Sequence, residues 1–420
     1  MGFEEFQTAR GTRDVLAPES WQLEALRRLA LNWAGRFGYD LLETPIFEQS
    51  PVFLRVGEST DIVQHESYRF TDAGGDDLTL RPEGTAAAAR AYVQHGMGSA
   101  ASQPVRWCYY GPMFRRERPQ ADRYRQHTQF GAELYGSESP LGDAEVMLLA
   151  ANVVDAAGLS HPEIRVNSIG CQNCRPRYRE ALIAFFTQRQ TALCEDCQRR
   201  LYQNPLRLLD CKVDVELRQD APDLRDFWCD ECRAHMDQVM EAVKLSGHTI
   251  ARDRHLVRGL DYYTRTVFEV GHPDLGERVA VLGGGRYDGL TAALGGSSVP
   301  AVGFGMGMER LLSALPGALP SPNPPRVYVA HLPGFEQAAF QLALSLRAEA
   351  IGAESDLLGR SLKAQLKAAG RRARLALIVG GREWEAGTVA VRDLERGQQE
   401  IVAKSDLHNY LKSQLREDRV

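Results

Sequence analysis

"FRRERPQADRYRQ", residues 114–126, sets five arginines (Arg115, Arg116, Arg118, Arg123 and Arg125) against Glu117 and Asp122. The flanks, "VRWCYYGPM" (105–113) and "HTQFGAELYG" (127–136), carry aromatic and β-branched residues, so they predict two long strands joined by a charged loop from about Arg116 to Arg125. Guanidinium forks keep their charge and bind phosphate oxygens bidentately, which makes the loop a candidate anion site. A solvated charged hairpin is the plainer reading of the same charges.

Outward from this hairpin, "SYRFTDAGGDDLTL" (67–80) reads as a second hairpin, and the long strands of the region look antiparallel. Trp21, Leu26, Leu29, Ala30, Trp33 and Phe37 recur at helical spacing and predict a helix closing at Gly38. "YDLLETPIFE" (39–48) has a strand pattern with Pro45 at an edge or strand end. From Ile169 to about Gly247, cysteine pairs and amphipathic helical stretches interrupt the β pattern, as an insertion would. The pattern resumes in "LVRGLDYYTRTVFEV" (256–270), which reads as a strand at both ends with Arg258 and Asp261 in its middle, and it ends in "AVGFGMGMERLLSAL" (301–315), a glycine-rich strand entering a helix. "LPGALPSPNPPR" (315–326) is a Pro-rich linker, and alternating strand and helix patterns beyond it predict a small α/β domain.

At 420 residues the chain exceeds one compact core, which favours two to three domains. Charged residues at 25% and hydrophobic ones at 44% are globular values. The start, "MGFEEFQTARGTRD", has neither a signal core nor a transit composition, and no apolar run reaches the length of a membrane span, so a cytoplasmic protein is expected. The net charge of −5 gives no general nucleic-acid signature. Residues 326–420 hold 15 Lys+Arg against 12 Asp+Glu, so any nucleic-acid surface must be local.

Three further stretches carry chemistry. "GFGMGMER" (303–310) allows a backbone to approach a ligand with Arg310 behind it, yet it fits neither a Walker loop nor a dinucleotide fingerprint. In "LRPEGT" (80–85), Glu83 and Thr85 are suited to an ammonium group. "LGGGRYDGL" (282–290) permits tight turns or close approach. Packing, solvation and turn chemistry are the respective plain readings.

Seven of the eight cysteines lie between Cys171 and Cys232, in "CQNC", "CEDC" and "CDEC" with Cys211 between the second and third. Cys171, Cys174, Cys194 and Cys197 have spacing that suits a tetrahedral zinc site, and Cys194, Cys197, Cys229 and Cys232 would serve as well. Buried cysteine also serves as a small hydrophobe.

In order along the chain, "GYDLLETPIFE" resembles motif 1 of the class II aminoacyl-tRNA synthetases, "FRRERPQADRYRQ" motif 2 and "GFGMGMERLL" motif 3. "RGTRDVLAPE", "LVRGLDYY", "GGGRYDGL" and, near the C-terminus, "SLKAQLKAA" resemble signatures of the histidyl-tRNA synthetase family. The resemblance implies an α+β catalytic domain with a mainly antiparallel sheet over 1–325, a helical insertion at about 170–247, and a C-terminal α/β anticodon-binding domain over 326–420. It implies activation of L-histidine with ATP and Mg²⁺ and transfer to tRNA(His), by a homodimer built on motif 1. A zinc ion is not a requirement of the family.

On matching positions, the resemblance implies that Arg115 holds the α-phosphate and the histidine carboxylate. Arg258 stands across the α-phosphate from it as the second catalytic cation. Glu117 reads the adenine amino group, and Arg123 with Arg310 clamps the outer phosphates. Glu83, Thr85 and Gln129 bind the α-amino group, and Glu133 and Tyr263 bind the imidazole nitrogens with Tyr262 alongside. Arg118 and Gln120 meet the acceptor end of tRNA, and Lys363, Lys367, Arg371, Arg372 and Arg374 are candidates for its backbone. His127 departs from the family pattern, which has an aromatic ring at that place. The alternative is a non-catalytic regulatory paralogue in histidine biosynthesis; that class degrades the motif arginines and lacks the C-terminal domain, whereas Arg115, Arg258, Arg310 and the tail from Arg326 are present here.

Overall fold

The structure, a computed structural model, describes residues 6–57, 66–99, 103–117, 124–258, 262–272, 280–319 and 326–416. Two compact units are present, Met1–Pro320 and Ser321–Val420.

The first unit is built on strands β1 (Asp40–Leu41), β2 (Phe47–Gln49), β3 (Tyr68–Thr71), β4 (Asp77–Leu80), β5 (Val105–Phe114), β6 (Gln126–Tyr135), β7 (Glu163–Ser168), β8 (Thr249–Arg252), β9 (Thr264–Gly271), β10 (Ala280–Arg286) and β11 (Ala301–Gly307). Eight of them form one sheet in the order β1-β5-β6-β11-β10-β9-β7-β8. Every pair in its interior is antiparallel, and only the outermost pairs, β1 with β5 and β7 with β8, are parallel. Strands β2, β4 and β3 make a small antiparallel sheet.

The charged stretch separates β5 from β6, whose ladder runs unbroken from Val105↔Tyr135 to Phe114↔Gln126. That register delivers Arg115 and Gln126 to the same end of the sheet. The helix Glu19–Arg36 buries Leu26, Ala30 and Ala34, one row at spacing four, and Gly38 terminates it at φ +78°. The helix Pro140–Ala156 is buried along most of its length and starts from a Ser139 cap that accepts from Leu141 N.

Two expected strands come out differently. "YDLLETPIFE" yields only the short β1 and β2, because buried Arg81 donates to the carbonyls of Thr44 and Pro45 at 2.8 and 3.3 Å and takes them out of any ladder. In "LVRGLDYYTRTVFEV", Leu256 to Arg258 are not strand: Leu256 N closes a turn on Asp253 O, and the ladder begins at Thr264. Asp261 lies outside the described residues.

Between β7 and β8 come the helices Arg175–Thr187, Glu195–Gln203, Val215–Gln219 and Asp230–Leu245. Their buried residues, Tyr178, Leu182, Phe186, Leu201 and Val239 among them, belong to the same apolar cluster as the sheet. A buried charge network ties this insertion to the sheet. Arg286 of β10 is paired with Asp143 on Pro140–Ala156 and, at 3.2 Å, with Asp288, while His235 Nε2 of Asp230–Leu245 stands 3.4 Å from Asp143. Burial would raise the Asp143 carboxyl, but His235 and Arg286 hold it below its ordinary value.

The second unit contains β12 (Val327–His331), β13 (Ala353–Ser355), β14 (Leu375–Val379), β15 (Thr388–Asp393) and β16 (Gln399–Ala403). They form a mixed sheet, parallel over β13-β12-β14 and antiparallel over β14-β15-β16. Val327, Val329, Leu346, Leu377, Val389 and Leu411 make its core with the helices Glu336–Ala348 and Leu407–Arg416.

Asp143→Ala leaves the buried Arg286 guanidinium with Asp288 as its remaining carboxylate, so chemical denaturation should show a loss of about 3 kcal/mol in the first unit.

Candidate functional site

On the sheet of the first unit lies a cleft of about 260 Å³, lined by residues of β6, β9, β10 and β11 and of the segments after β4, after β5, before β9 and after β11. Arg115 and Glu117 come from the segment just after β5, and Arg310 from the helix Met308–Ala314 that follows β11. Arg258 enters from the turn before β9. Glu83, Thr85, Gln129, Tyr262 and Tyr263 complete the predicted set found there.

The cleft exists because the strands beneath it are bare. A Cβ on Gly283 would fall inside the Arg258 guanidinium, and one on Gly303 inside the Glu133 carboxylate. Each glycine is thus a space left for a charged side chain of a neighbouring segment.

Arg258 is anchored by Glu269, at 2.6 Å from Nη1, and Glu269 also receives Arg165 at 3.2 Å. The Arg258 Nε is buried with no hydrogen-bond partner among the described residues, while the side chain as a whole lines the cleft. Arg115 donates from Nε to Pro82 O at 2.9 Å, which turns the fork toward the cleft, and Glu117 stands 3.8 Å from its Nη1. Arg310 donates to Ala280 O at 3.2 Å. Glu309, buried beside it, accepts from Thr128 N at 2.8 and 2.9 Å and joins the helix to β6.

Glu83 accepts from Thr85 N at 2.5 Å and Ala86 N at 2.9 Å, and so heads the helix Thr85–Gln94. Burial raises its carboxyl above the ordinary value, against those two donors. Gln129 accepts from Gly84 N at 3.0 Å. Glu83, Thr85 and Gln129 therefore meet at one wall.

Glu133 lies fully buried below that wall. Thr85 Oγ1 donates to it at 2.7 Å and Tyr109 OH at 3.2 Å, and Tyr287 OH donates to its second oxygen. Burial pushes its carboxyl up to about 8, and the hydroxyls of Tyr287 and Thr85 only partly oppose this. Tyr262 and Tyr263 pack at 4.8 Å between ring centroids, and Tyr262 meets Tyr287 edge-on at 5.6 Å. His127 lines the cleft as a neutral imidazole: burial, with Arg115 and Arg310 nearby, drives it down to about 3.

Arg118, Gln120 and Arg123 lie outside the described residues. The zinc set Cys171, Cys174, Cys194 and Cys197 is not brought together: the first pair sits with Cys229 and Cys232, the second with Cys211 and Asp214. Helix packing decides this, since the first pair precedes Arg175–Thr187 and faces the start of Asp230–Leu245. In the second unit Arg374 is committed to Asp393 at 3.3 Å and largely buried, whereas Lys363, Lys367, Arg371 and Arg372 are exposed. Sequence reasoning missed Tyr109, Tyr287, Glu269 and Glu309. Tyr287 stood within "GGGRYDGL"; nothing in the pattern distinguishes Tyr109.

Residues 11–311 match the family model described as histidyl-tRNA synthetase, and residues 326–414 match an anticodon binding domain. A histidine–tRNA ligase of Desulforamulus reducens is 44% identical over 412 residues, 96% of this chain and 98% of the relative. One of Moorella thermoacetica is 45% identical over 409 residues, 96% of each. Among solved structures, apo S. aureus histidyl-tRNA synthetase superposes with a TM-score of 0.80 at 33% identity, covering 97% of this chain and 99% of that one. A Bacillus halodurans chain described as an ATP phosphoribosyltransferase regulatory subunit/histidyl-tRNA synthetase has a TM-score of 0.66 at 24% identity, covering 87% and 97%, a likeness of fold alone.

With a folded-state value near 8 and an unfolded value near 4.5, Glu133 costs stability progressively as pH rises between the two. Glu133→Gln removes that cost, so calorimetry should find its Tm, relative to the parent, higher at pH 9 than at pH 5 by about 2 °C or more.

Proposed function

This chain belongs to the histidyl-tRNA synthetase family, and from that premise we infer how its cleft carries out the family's reaction. The chain is a histidine–tRNA ligase: it activates L-histidine with ATP to histidyl-adenylate, releasing pyrophosphate, and transfers the histidyl group to the 3′ end of tRNA(His). The regulatory-paralogue reading is the weaker one, because the ligases match nearly the whole chain, its anticodon-binding domain included.

The observation that carries the residue roles is the convergence of Arg115, Arg258 and Arg310 on one cleft with Glu83, Thr85 and Gln129. Adenylate formation places negative charge on a pentacoordinate α-phosphate, so fixed cations are the main resource. Arg258, braced by Glu269 and lining the cleft, acts as an electrophile at that phosphate. Arg115 binds the phosphate and the histidine carboxylate, drawing the two reactants together. Glu117 receives the adenine amino group, and Arg310 with Arg123 holds the outer phosphates. Mg²⁺ accompanies ATP, as is general in the class, and neutralises phosphate charge.

Glu83, Thr85 and Gln129 take the α-ammonium group. Glu133 and Tyr263 pair with the two imidazole nitrogens, so a side chain lacking both nitrogens leaves buried polar groups unpaired. Thr85, Tyr109 and Tyr287 support this reading, since they fix the Glu133 carboxyl in place. His127 offers adenine an uncharged ring. Arg118 and Gln120 contact the tRNA acceptor end, and Lys363, Lys367, Arg371 and Arg372 its backbone. The protein works in the cytoplasm; no helix among the described residues is long and apolar enough to cross a membrane.

A homodimer is supported by apolar surface around motif 1. Leu41, Ile46, Phe47 and Phe70 are 59%, 45%, 52% and 42% exposed. The pairings Phe47↔Leu80 and Phe70↔Leu78 put both phenyl groups on the same face of the small sheet.

Pyrophosphate exchange into ATP should require histidine, and Arg258→Ala should lower kcat by about 10²-fold or more with little change in the KM for ATP. Exchange driven by another amino acid, or insensitive to the substitution, would refute these roles. Phe47→Glu should shift the sedimentation coefficient from dimer to monomer; an unchanged dimer would place the interface elsewhere.

A further inference from the structure

Away from the substrate cleft, two groups of side chains carry ligand chemistry that histidine activation does not use. Cys171, Cys174, Cys229 and Cys232 bring four sulfurs within 4.8 Å of one another, and Cys194, Cys197, Cys211 and Asp214 do the same with three sulfurs and a carboxylate oxygen. We propose that each group is a tetrahedral zinc site, so that the insertion carries two Zn²⁺ ions per chain.

The spacings are those a shared ion imposes. Sulfurs at about 2.3 Å from a tetrahedral zinc stand about 3.8 Å apart. Cys171 Sγ is 3.5 Å from Cys174 Sγ and 3.9 Å from Cys229 Sγ, and Cys174 Sγ is 3.8 Å from Cys232 Sγ. In the second group Cys194 Sγ is 3.8 Å from Cys211 Sγ. A carboxylate oxygen at about 2.0 Å from the same ion stands about 3.5 Å from a sulfur ligand; Asp214 Oδ2 lies 3.6 Å from Cys211 Sγ. Disulfide formation needs a separation of about 2.05 Å, and all eight cysteines are free.

The surroundings suit thiolates. Cys229 N donates to Cys174 Sγ at 3.2 Å and Asp214 N to Cys211 Sγ at 3.4 Å, while Cys194 N donates to both Asp214 oxygens at 3.1 and 3.2 Å. Such donors offset the surplus negative charge of a four-anion zinc site and orient its ligands. Cysteines serving only as small hydrophobes have no reason to gather in fours, and Cys108 in β5, buried in the same apolar cluster, belongs to neither group. Sulfur-rich tetrahedral sets select zinc over magnesium or calcium.

The two ions have different work. In the first site, Cys171 and Cys174 follow the end of β7, and Cys229 and Cys232 open the helix that returns to β8. One ion therefore clips the entry and exit of the insertion, beside the bond from Trp228 Nε1 to Ser168 O at 3.0 Å. The clipped segment also holds the histidine wall: Arg265 N donates to Gly170 O at 3.0 Å, and Arg175 donates to the carbonyl of Tyr263. The second ion joins the helix Glu195–Gln203 to the turn before Val215–Gln219 and is confined to the insertion.

Elemental analysis of the full chain, expressed without a metal-affinity tag and dialysed, should find two zinc ions per chain, both released to a chromogenic chelator by a thiol-blocking mercurial. Cys229→Ser with Cys232→Ser, and separately Cys211→Ser with Asp214→Ala, should each lower the count to one. Protein produced with Co²⁺ in place of zinc should show thiolate-to-cobalt charge-transfer absorption. A parent chain holding one zinc or none, iron in place of zinc, or a count of two untouched by either pair of substitutions would overturn the proposal. Should the variants prove insoluble, the parent count and the cobalt spectrum decide it.

Discussion

The cleft depends on strands that have no side chains to fill it. Gly283 of β10 and Gly303 of β11 sit at the centre of an eight-stranded sheet, where bulky β-branched residues would ordinarily pack. Their missing Cβ atoms let the Arg258 guanidinium and the Glu133 carboxylate lie directly on the backbone. Glycine in a strand interior costs conformational entropy and packing. Here that cost is offset by the long β5–β6–β11–β10–β9 ladder and by the helix Pro140–Ala156 buried against it.

A second consequence follows for the acids of the site. Sunk beneath the cleft, Glu133 is shielded from water and would ionise reluctantly, yet three hydroxyls from Thr85, Tyr109 and Tyr287 keep it oriented. Glu83 is likewise buried but takes backbone donors from the helix it heads. The two carboxyls therefore differ in partners although both are removed from solvent. The cations are supported differently again, Arg258 by Glu269 and Arg115 by a backbone carbonyl, which leaves part of each fork for a ligand.

Much of this was legible in the sequence because it rests on local pattern. The strand pair around "FRRERPQADRYRQ" and the glycine strand leading to Arg310 each depend on a few adjacent residues, and each appears where the pattern put it. What was not legible depends on contacts distant in the chain. Arg81 draws the Thr44–Pro45 carbonyls out of a strand from 37 and 36 residues away. Tyr287 reaches Glu133 across 154 residues. Three C-x-x-C pairs admit several groupings, and only the packing of the insertion helices brings the first to the third and the second to Cys211 and Asp214. Arg374 reads as one more basic surface residue until its buried pairing with Asp393 is seen.

The position of the Arg258 guanidinium rests on the bare backbone of Gly283 beneath it. The single substitution Gly283→Ala probes that dependence, followed by histidine-dependent pyrophosphate exchange alongside thermal unfolding. Displacing Arg258 by the width of one methyl group should lower kcat by about tenfold or more in protein that still unfolds cooperatively. Exchange at the parent rate in that variant would contradict the account.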